Sequence, residues 1–477
     1  MKASRGLVLF VAAAVGTLLA HCGGTSDGGG GASSDAGPAP DAALGPTFHK
    51  DVEPIVQKHC TMCHTEGGIG PFSMQTYAAA KDYASAMASR TKDRTMPPWG
   101  AEETASCKPT HAFREDNRLS PAEIATLEAW SRAGAPEGDP KDAPAKVARD
   151  ISSLPAKTDT LELSAYTMSS PTDVMRCFVV DPKLTATRYL NGYHVVPGAL
   201  GVVHHALIYA DPKRESLKKV QGGGDQYDCF GGPQFDSANL VGGWVPGSVP
   251  GELPPNVGTQ MDAGTLFVVQ VHYHAGGPGP REDKTKIELR FTDQKPEYYA
   301  KTRLIGNFRG AFGTTPGDGL QPGADGKVEF MIPPGAEGHE EVMRVTMPPA
   351  LAAAGTVYLY GVGGHMHYIG VSEELRIKHV APQNGAPADE CLLGIPRWDF
   401  DWQRGFAYAA PIEQLPQVAA GDQITVKCGY NNSMSNPKMA RVMRETGITA
   451  PQPVTLGEST LDEMCLGAFV FLAKVPF

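Results

Sequence analysis

The sequence predicts a multidomain protein, with one small α-helical domain followed by two all-β sandwich domains. Three observations predict it. The chain has 477 residues, enough for about three domains at roughly 150 residues each. A helical pattern with start and stop signals occupies the region before residue 140. Beyond it, short apolar runs alternate with turns, in a chain carrying 55 Gly and 40 Pro. A hydrophobic content of 41% is ordinary and can fill sizeable cores. The formal charge is −10 and no basic stripe appears, which argues against nucleic acid as a partner.

The first element is an export signal over residues 1–22. Lys2 and Arg5 precede an apolar run from Leu7 to Ala20, too short to span a bilayer as a mature helix. Leu19-Ala20-His21-Cys22-Gly23 resembles a bacterial lipoprotein cleavage box, which implies lipidation of Cys22. His21 departs from the small residue expected there, and a plain secretory signal is the alternative. The expected location is outside the bacterial cytoplasm, lipid-anchored to a membrane and facing the periplasm or cell surface. Residues 23–45, rich in Gly, Ser, Ala, Asp and Pro, read as a flexible linker. Export permits disulfides.

Residues 46–140 read as the helical domain. Cys60-Thr61-Met62-Cys63-His64 has the c-type haem attachment pattern: two thiols one turn apart reach both vinyl groups, and His64 reaches the iron. A redox Cys pair or half a zinc site is the competing reading. The flanks resemble bacterial cytochrome c domains: Val52, Ile55 and Val56 before the motif, Gly70-Pro71-Phe72 after it, and Met96 ahead of Pro97-Pro98-Trp99. The resemblance implies one haem c, with His64 and Met96 as axial ligands; the alternative for Met96 is a core methionine. Ser120-Pro121-Ala122-Glu123 then predicts a helix start with a capping box. Ile124, Leu127 and Trp130 repeat at helical spacing and Gly134 ends the helix, which should pack on the N-terminal one. A linker follows over residues 141–158.

The β-rich remainder divides into expected domains at 159–300 and 301–477. Its apolar runs include Val202–Tyr209, Leu266–Tyr273, Ile287–Phe291, Val357–Val362, Gln423–Val426 and Ala468–Leu472. Histidines sit on or beside these strands: His204-His205, His272 with His274, and His365 with His367. Residues two apart face one side of a strand, so His365 and His367 can meet one ion. Adjacent His204 and His205 face opposite sides in a regular strand, so joint ligation needs a bulge or strand end. Any one of these histidines alone reads as a hydrogen-bonded core or surface residue; several His-rich segments together point to metal. Met464 lies in Asp462-Glu463-Met464-Cys465.

In order and spacing, these segments resemble the copper type II, ascorbate-dependent monooxygenases, the peptidylglycine α-hydroxylating and dopamine β-monooxygenase family. The resemblance covers about residues 160–475. It implies jelly-roll-like copper domains, with His204, His205 and His272 holding an electron-transfer copper. It assigns His365, His367 and Met464 to a catalytic copper. Imidazole suits copper in both oxidation states and a thioether favours Cu(I), whereas zinc rarely takes Met. Three protein ligands per ion leave a position open for oxygen. The resemblance also implies the disulfides Cys177–Cys229 and Cys428–Cys465. Setting aside Cys22, Cys60 and Cys63, Cys107 and Cys391 then remain of the nine cysteines, to pair with each other or, for Cys107, otherwise within the cytochrome loop.

In that family, hydroxylation of an activated C–H bond by O2 draws one electron from each copper across an open cleft, and ascorbate recharges both. Two departures stand out. Gly363 and Leu466 occupy places where the peptide enzyme has Arg and Asn to grip a carboxylate, so a glycine-extended peptide is not the expected substrate. His274 has no counterpart and reads as a spare ligand, a support for a ligand, or a surface residue. The expected substrate is a small organic molecule. The fused haem is expected near the first copper, relaying electrons from a periplasmic donor in place of or beside ascorbate; a docking role alone is the alternative. The rival class is a non-enzymatic exported copper and haem electron-transfer or copper-binding lipoprotein, and a third is a copper-sensing or haem-docking module.

Overall fold

The computed structural model describes residues 45–477, except 67–69, 146–152, 171–172, 221, 231, 236, 247, 275–280, 308–314, 324–325 and 458–460. The expected signal segment, Cys22 and the linker up to residue 44 lie outside the described residues. Among the described residues the chain is mostly β-sheet with a few short helices. No described helix is long and apolar enough to cross a membrane.

The helical segment contains Glu53–His59, Tyr77–Lys81, Ala84–Lys92 and Pro121–Arg132. The last begins as its sequence dictates. Ser120 Oγ accepts the Glu123 N–H at 3.2 Å, and the Glu123 carboxylate accepts the Ser120 N–H at 2.7 Å. Gly134 follows at φ +81°, a conformation costly for any residue with a side chain. Leu127 and Trp130 of this helix are buried with Phe48, Val52, Ile55 and Val56, so first and last helical turns share one core. Each such buried side chain is worth about 1.5–3 kcal/mol.

One sheet joins the two expected β domains. Its strands run in the order Asp159–Glu162, Lys286–Thr292, Arg188–Val196, Val257–Met261, Tyr298–Gly306, Leu466–Ala473, Val357–His365 and Gly405–Ala407. Tyr298–Gly306 straddles the expected boundary at residue 300, pairing parallel with Val257–Met261 on one side and antiparallel with Leu466–Ala473 on the other. Two five-stranded sheets cover this frame. In the first half, Leu266–Tyr273 lies between Val174–Val180 and Val203–Asp211. In the second, Gln423–Tyr430 lies between His339–Thr346 and Gly370–Lys378. Each half keeps its own apolar core.

The helical segment is fastened to the second half. Trp99 and Ala101 are buried in that half's core. Arg397 donates to the Asp93 and Arg94 carbonyls at 2.6 and 3.3 Å. Backbone bonds run from Glu102 to Gly394, Arg114 to Ala407 and Ala409 to Ala112, at 2.9, 2.7 and 2.8 Å. Cys107–Cys391 closes the junction covalently. The described contacts thus fasten the helical segment to the second half, the link that pairing Cys107 with Cys391 implies from sequence.

Three disulfides form, Cys107–Cys391, Cys177–Cys229 and Cys428–Cys465, the three pairs considered from sequence. They point to a compartment that oxidises thiols.

Candidate metal centres

His204, His205 and His272 come together in the first half. The register explains how adjacent histidines share a site. His272 stands opposite His205, but Tyr273 stands opposite Val203, so the ladder skips His204. That bulge turns both side chains toward His272. The ring nitrogens converge: His205 Nδ1 lies 3.3 Å from His204 Nδ1 and 3.3 Å from His272 Nδ1. Two imidazole nitrogens each about 2.0–2.1 Å from one ion at a tetrahedral angle stand about 3.3–3.4 Å apart. The donor set therefore fits a metal ion held by three Nδ1 atoms.

The outer nitrogens are tied down. His272 Nε2 meets Asp173 Oδ2 at 2.9 Å, and His204 Nε2 faces Asp401 Oδ1 at 3.5 Å. A carboxylate on the far nitrogen fixes the proton there and leaves the near lone pair for an ion. Burial works against the Asp173 charge, but hydrogen bonds from His272 and His274 hold its carboxyl well below the usual range. His274 Nδ1 meets Asp173 Oδ1 at 2.9 Å, so His274 steadies the aspartate that orients His272. Burial lowers the pKa of both His205 and His272, keeping them neutral and able to ligate.

His365 and His367 come together at the end of the Val357–His365 strand, with ring centroids 5.3 Å apart. The ladder ends with His365 opposite Leu466, so His367 and Met464 lie in the loops just beyond the paired strands. Buried Glu463 ties these residues together, accepting N–H groups from His367, Ile369 and Met464 at 2.7, 2.9 and 3.3 Å. Burial pushes its carboxyl up to about 8 against these bonds. Tyr430 donates its hydroxyl to the Met464 carbonyl at 2.7 Å. His365 Nδ1 is bonded to Gln403 Oε1 at 2.6 Å and His367 Nδ1 to the Asp462 carbonyl at 2.9 Å. Both rings therefore present Nε2, and two imidazoles with a thioether suit copper.

Cys60 and Cys63 are free thiols while the six other described cysteines are paired. The Cys63 and His64 N–H groups bond the Cys60 carbonyl at 3.1 and 2.9 Å, placing the three side chains on one helical turn. Burial pushes the Cys60 thiol up to about 12. His64 Nδ1 bonds the Phe72 carbonyl at 3.0 Å, leaving Nε2 for an axial bond. Gly70 is required beside it, because a Cβ there would lie 2.7 Å from His64 Nδ1. These residues fit a covalently held haem. Met96 sits beyond Ala84–Lys92, its N–H on the Arg90 carbonyl at 3.1 Å. Among the described residues no hydrogen bond or ring contact joins Met96 to His64.

The sequence reading missed the segment Trp398–Arg404. Trp398 donates its indole N–H to the His367 carbonyl at 3.2 Å. Phe400 stacks on His204 at 6.0 Å and meets His367 edge-on at 6.2 Å. Asp401 reaches His204 and pairs with Lys438 and Arg441 at 3.2 and 2.8 Å. Gln403 holds His365. The two histidine clusters thus share a ring, Phe400, instead of facing each other across an empty gap. Gly363 is opposite Gly405, and a Cβ there would lie 3.3 Å from the Arg404 carbonyl. Leu466 is buried at 6% exposure.

No family model matches the chain, and no curated protein matches it. The major capsid protein P2 of bacteriophage PM2 is 8% identical, with a TM-score of 0.23 over 66% of this chain and 97% of its own. A peptide-N(4)-(N-acetyl-β-D-glucosaminyl) asparagine amidase is 12% identical, with a TM-score of 0.19 over 68% of this chain and 94% of its own. Likenesses this slight carry no argument about function.

Proposed function

We propose that the protein is an exported copper-dependent monooxygenase, similar to the copper type II, ascorbate-dependent enzymes, with a fused c-type cytochrome domain. It would act on a C–H bond of a small organic substrate, using molecular oxygen. The observation that carries the reading is the convergence of His205 Nδ1 with the Nδ1 atoms of His204 and His272, each 3.3 Å away, with carboxylates behind them, beside a second pair, His365 and His367, whose loop Glu463 ties to that of Met464. A lipid anchor at Cys22 and delivery of electrons by a periplasmic donor or ascorbate belong to the same proposal.

When bound, two coppers would supply oxygen activation and one-electron storage, and haem c would supply one-electron relay. The chain's own residues set the conditions. Asp173 keeps the His272 proton on Nε2, so that Nδ1 stays a ligand. Gln403 and the Asp462 carbonyl do the reverse for His365 and His367. Glu463 locks the loop carrying His367 to the one carrying Met464. Phe400, beside the rings of His204 and His367, and buried Leu466 supply apolar surface at the clusters, which favours a substrate of low polarity. Cys60, Cys63 and His64 would hold the haem, with Met96 as the distal ligand to be tested.

A second reading has its own support. Phe400 touches a histidine of each cluster, which equally suits a non-enzymatic electron carrier. Metal analysis with oxygen uptake separates the two. The enzyme reading expects two coppers and one haem per chain, and substrate-dependent oxygen consumption by reduced protein with some member of a panel of phenols, amines and peptides. Full metal content with no such consumption favours the carrier.

A further inference from the structure

The segment Trp398–Arg404 touches both histidine clusters, and its C-terminal end reaches the helical segment. Gln403 Oε1 lies 2.6 Å from His365 Nδ1. The next residue, Arg404, lays its guanidinium over the Trp99 ring at 4.5 Å and the Phe406 ring at 5.8 Å. Trp99 closes the Met96-Pro97-Pro98-Trp99 loop of the helical segment and packs edge-on against Phe406 at 5.2 Å. Arg397, just before the segment, grips the Asp93 and Arg94 carbonyls. The Arg404 charge also opposes the burial that raises the Cys63 thiol. No comparable contact among the described residues links the helical segment to His204, His205 or His272.

Resting on the monooxygenase reading above, we propose that Gln403 and Arg404 form the electron-entry bridge, and that electrons from the haem enter at the His365, His367 and Met464 site. In the step, one electron leaves ferrous haem iron, which becomes ferric, and one cupric ion at His365 becomes cuprous. No proton moves and no bond to carbon or oxygen changes. An external one-electron reductant restores the ferrous haem. The first cluster is then filled through the second, by way of Phe400, and not directly from the haem.

The test is anaerobic rapid mixing of the full chain with haem reduced and copper oxidised, following haem absorbance. Emptying the second cluster with His367→Ala should abolish the fast phase of haem oxidation, and emptying the first with His272→Ala should leave its rate unchanged. Arg404→Leu should slow it clearly, with haem and copper contents unaltered, while Arg404→Lys retains most of the rate. Loss of the fast phase in His272→Ala but not in His367→Ala overturns the proposal and leaves the monooxygenase reading standing. So does an unchanged rate in correctly metallated Arg404→Leu. A purified chain without bound haem or copper overturns both together.

Discussion

Replacing Asp173 by Asn tests the first metal centre directly. The carboxylate accepts from His272 Nε2 and His274 Nδ1, each at 2.9 Å. An amide keeps nearly the same shape, but its NH2 half donates. Where that half meets His272 Nε2, the ring proton must move to Nδ1, the atom that faces His205 Nδ1 at 3.3 Å. A protonated Nδ1 cannot ligate. Loss of such an orienting partner weakens metal binding by about 10–100-fold, or roughly 1.4–2.8 kcal/mol at 1.4 kcal/mol per decade. Competition against a Cu(I) chelator of known affinity measures this. Asp173→Asn should weaken one of two coppers by that factor and leave the other unchanged, the His365 site serving as internal control. His274→Ala should cost less than about tenfold, because Asp173 keeps its bond to His272. Equal weakening of both coppers, or of neither, refutes the reasoning.

Three further outcomes are expected. Met464→Leu keeps volume but removes the thioether, and should lower copper from two per chain toward one by metal analysis, sparing the Cu(II) spectrum of the first site. His379 is buried between Glu390 at 3.1 Å and Asp422 at 3.0 Å, and the hydrogen bond to Glu390 leads in raising its pKa. The protonated form is thus favoured by folding, so its contribution is complete below the ordinary histidine value and fades as pH rises through the raised one. Thermal unfolding of His379→Gln should accordingly fall furthest behind the parent near pH 6 and converge with it at higher pH. Replacing both Cys107 and Cys391 by Ser opens a link of sequence separation 284, for which chain entropy gives up to about 5 kcal/mol. Residues 93–114 should then become the first site of limited proteolysis, and a parent-like digestion pattern would contradict the docking role assigned to that disulfide.

What could be read from sequence was local. The Ser120–Glu123 capping box needs only residues three apart, and it forms as expected. The joint use of His204 and His205 was legible as a condition, a bulge, because strand alternation is strict. Asp173 was not legible: it lies 99 positions from His272, in a short loop without pattern. Trp398–Arg404 has neither helical nor strand periodicity, and its role comes from contacts with residues far along the chain, such as His204 and Trp99. An unusual run of Trp, Asp, Phe and Arg was the one available signal. The sheet running through Tyr298–Gly306 likewise depends on which distant strands pair, which a hydropathy pattern does not specify.

The skipped residue at His204 also constrains how the gene can change. Point substitutions in the turn before it, around Pro197–Leu200, alter one side chain at a time. A codon deleted or inserted between Val202 and His205 would instead slide the strand by one place and swing a metal-facing ring to the opposite face. Related chains should therefore keep the length of this corner fixed, and keep Gly198, where a Cβ would lie 2.6 Å from the Lys284 backbone nitrogen.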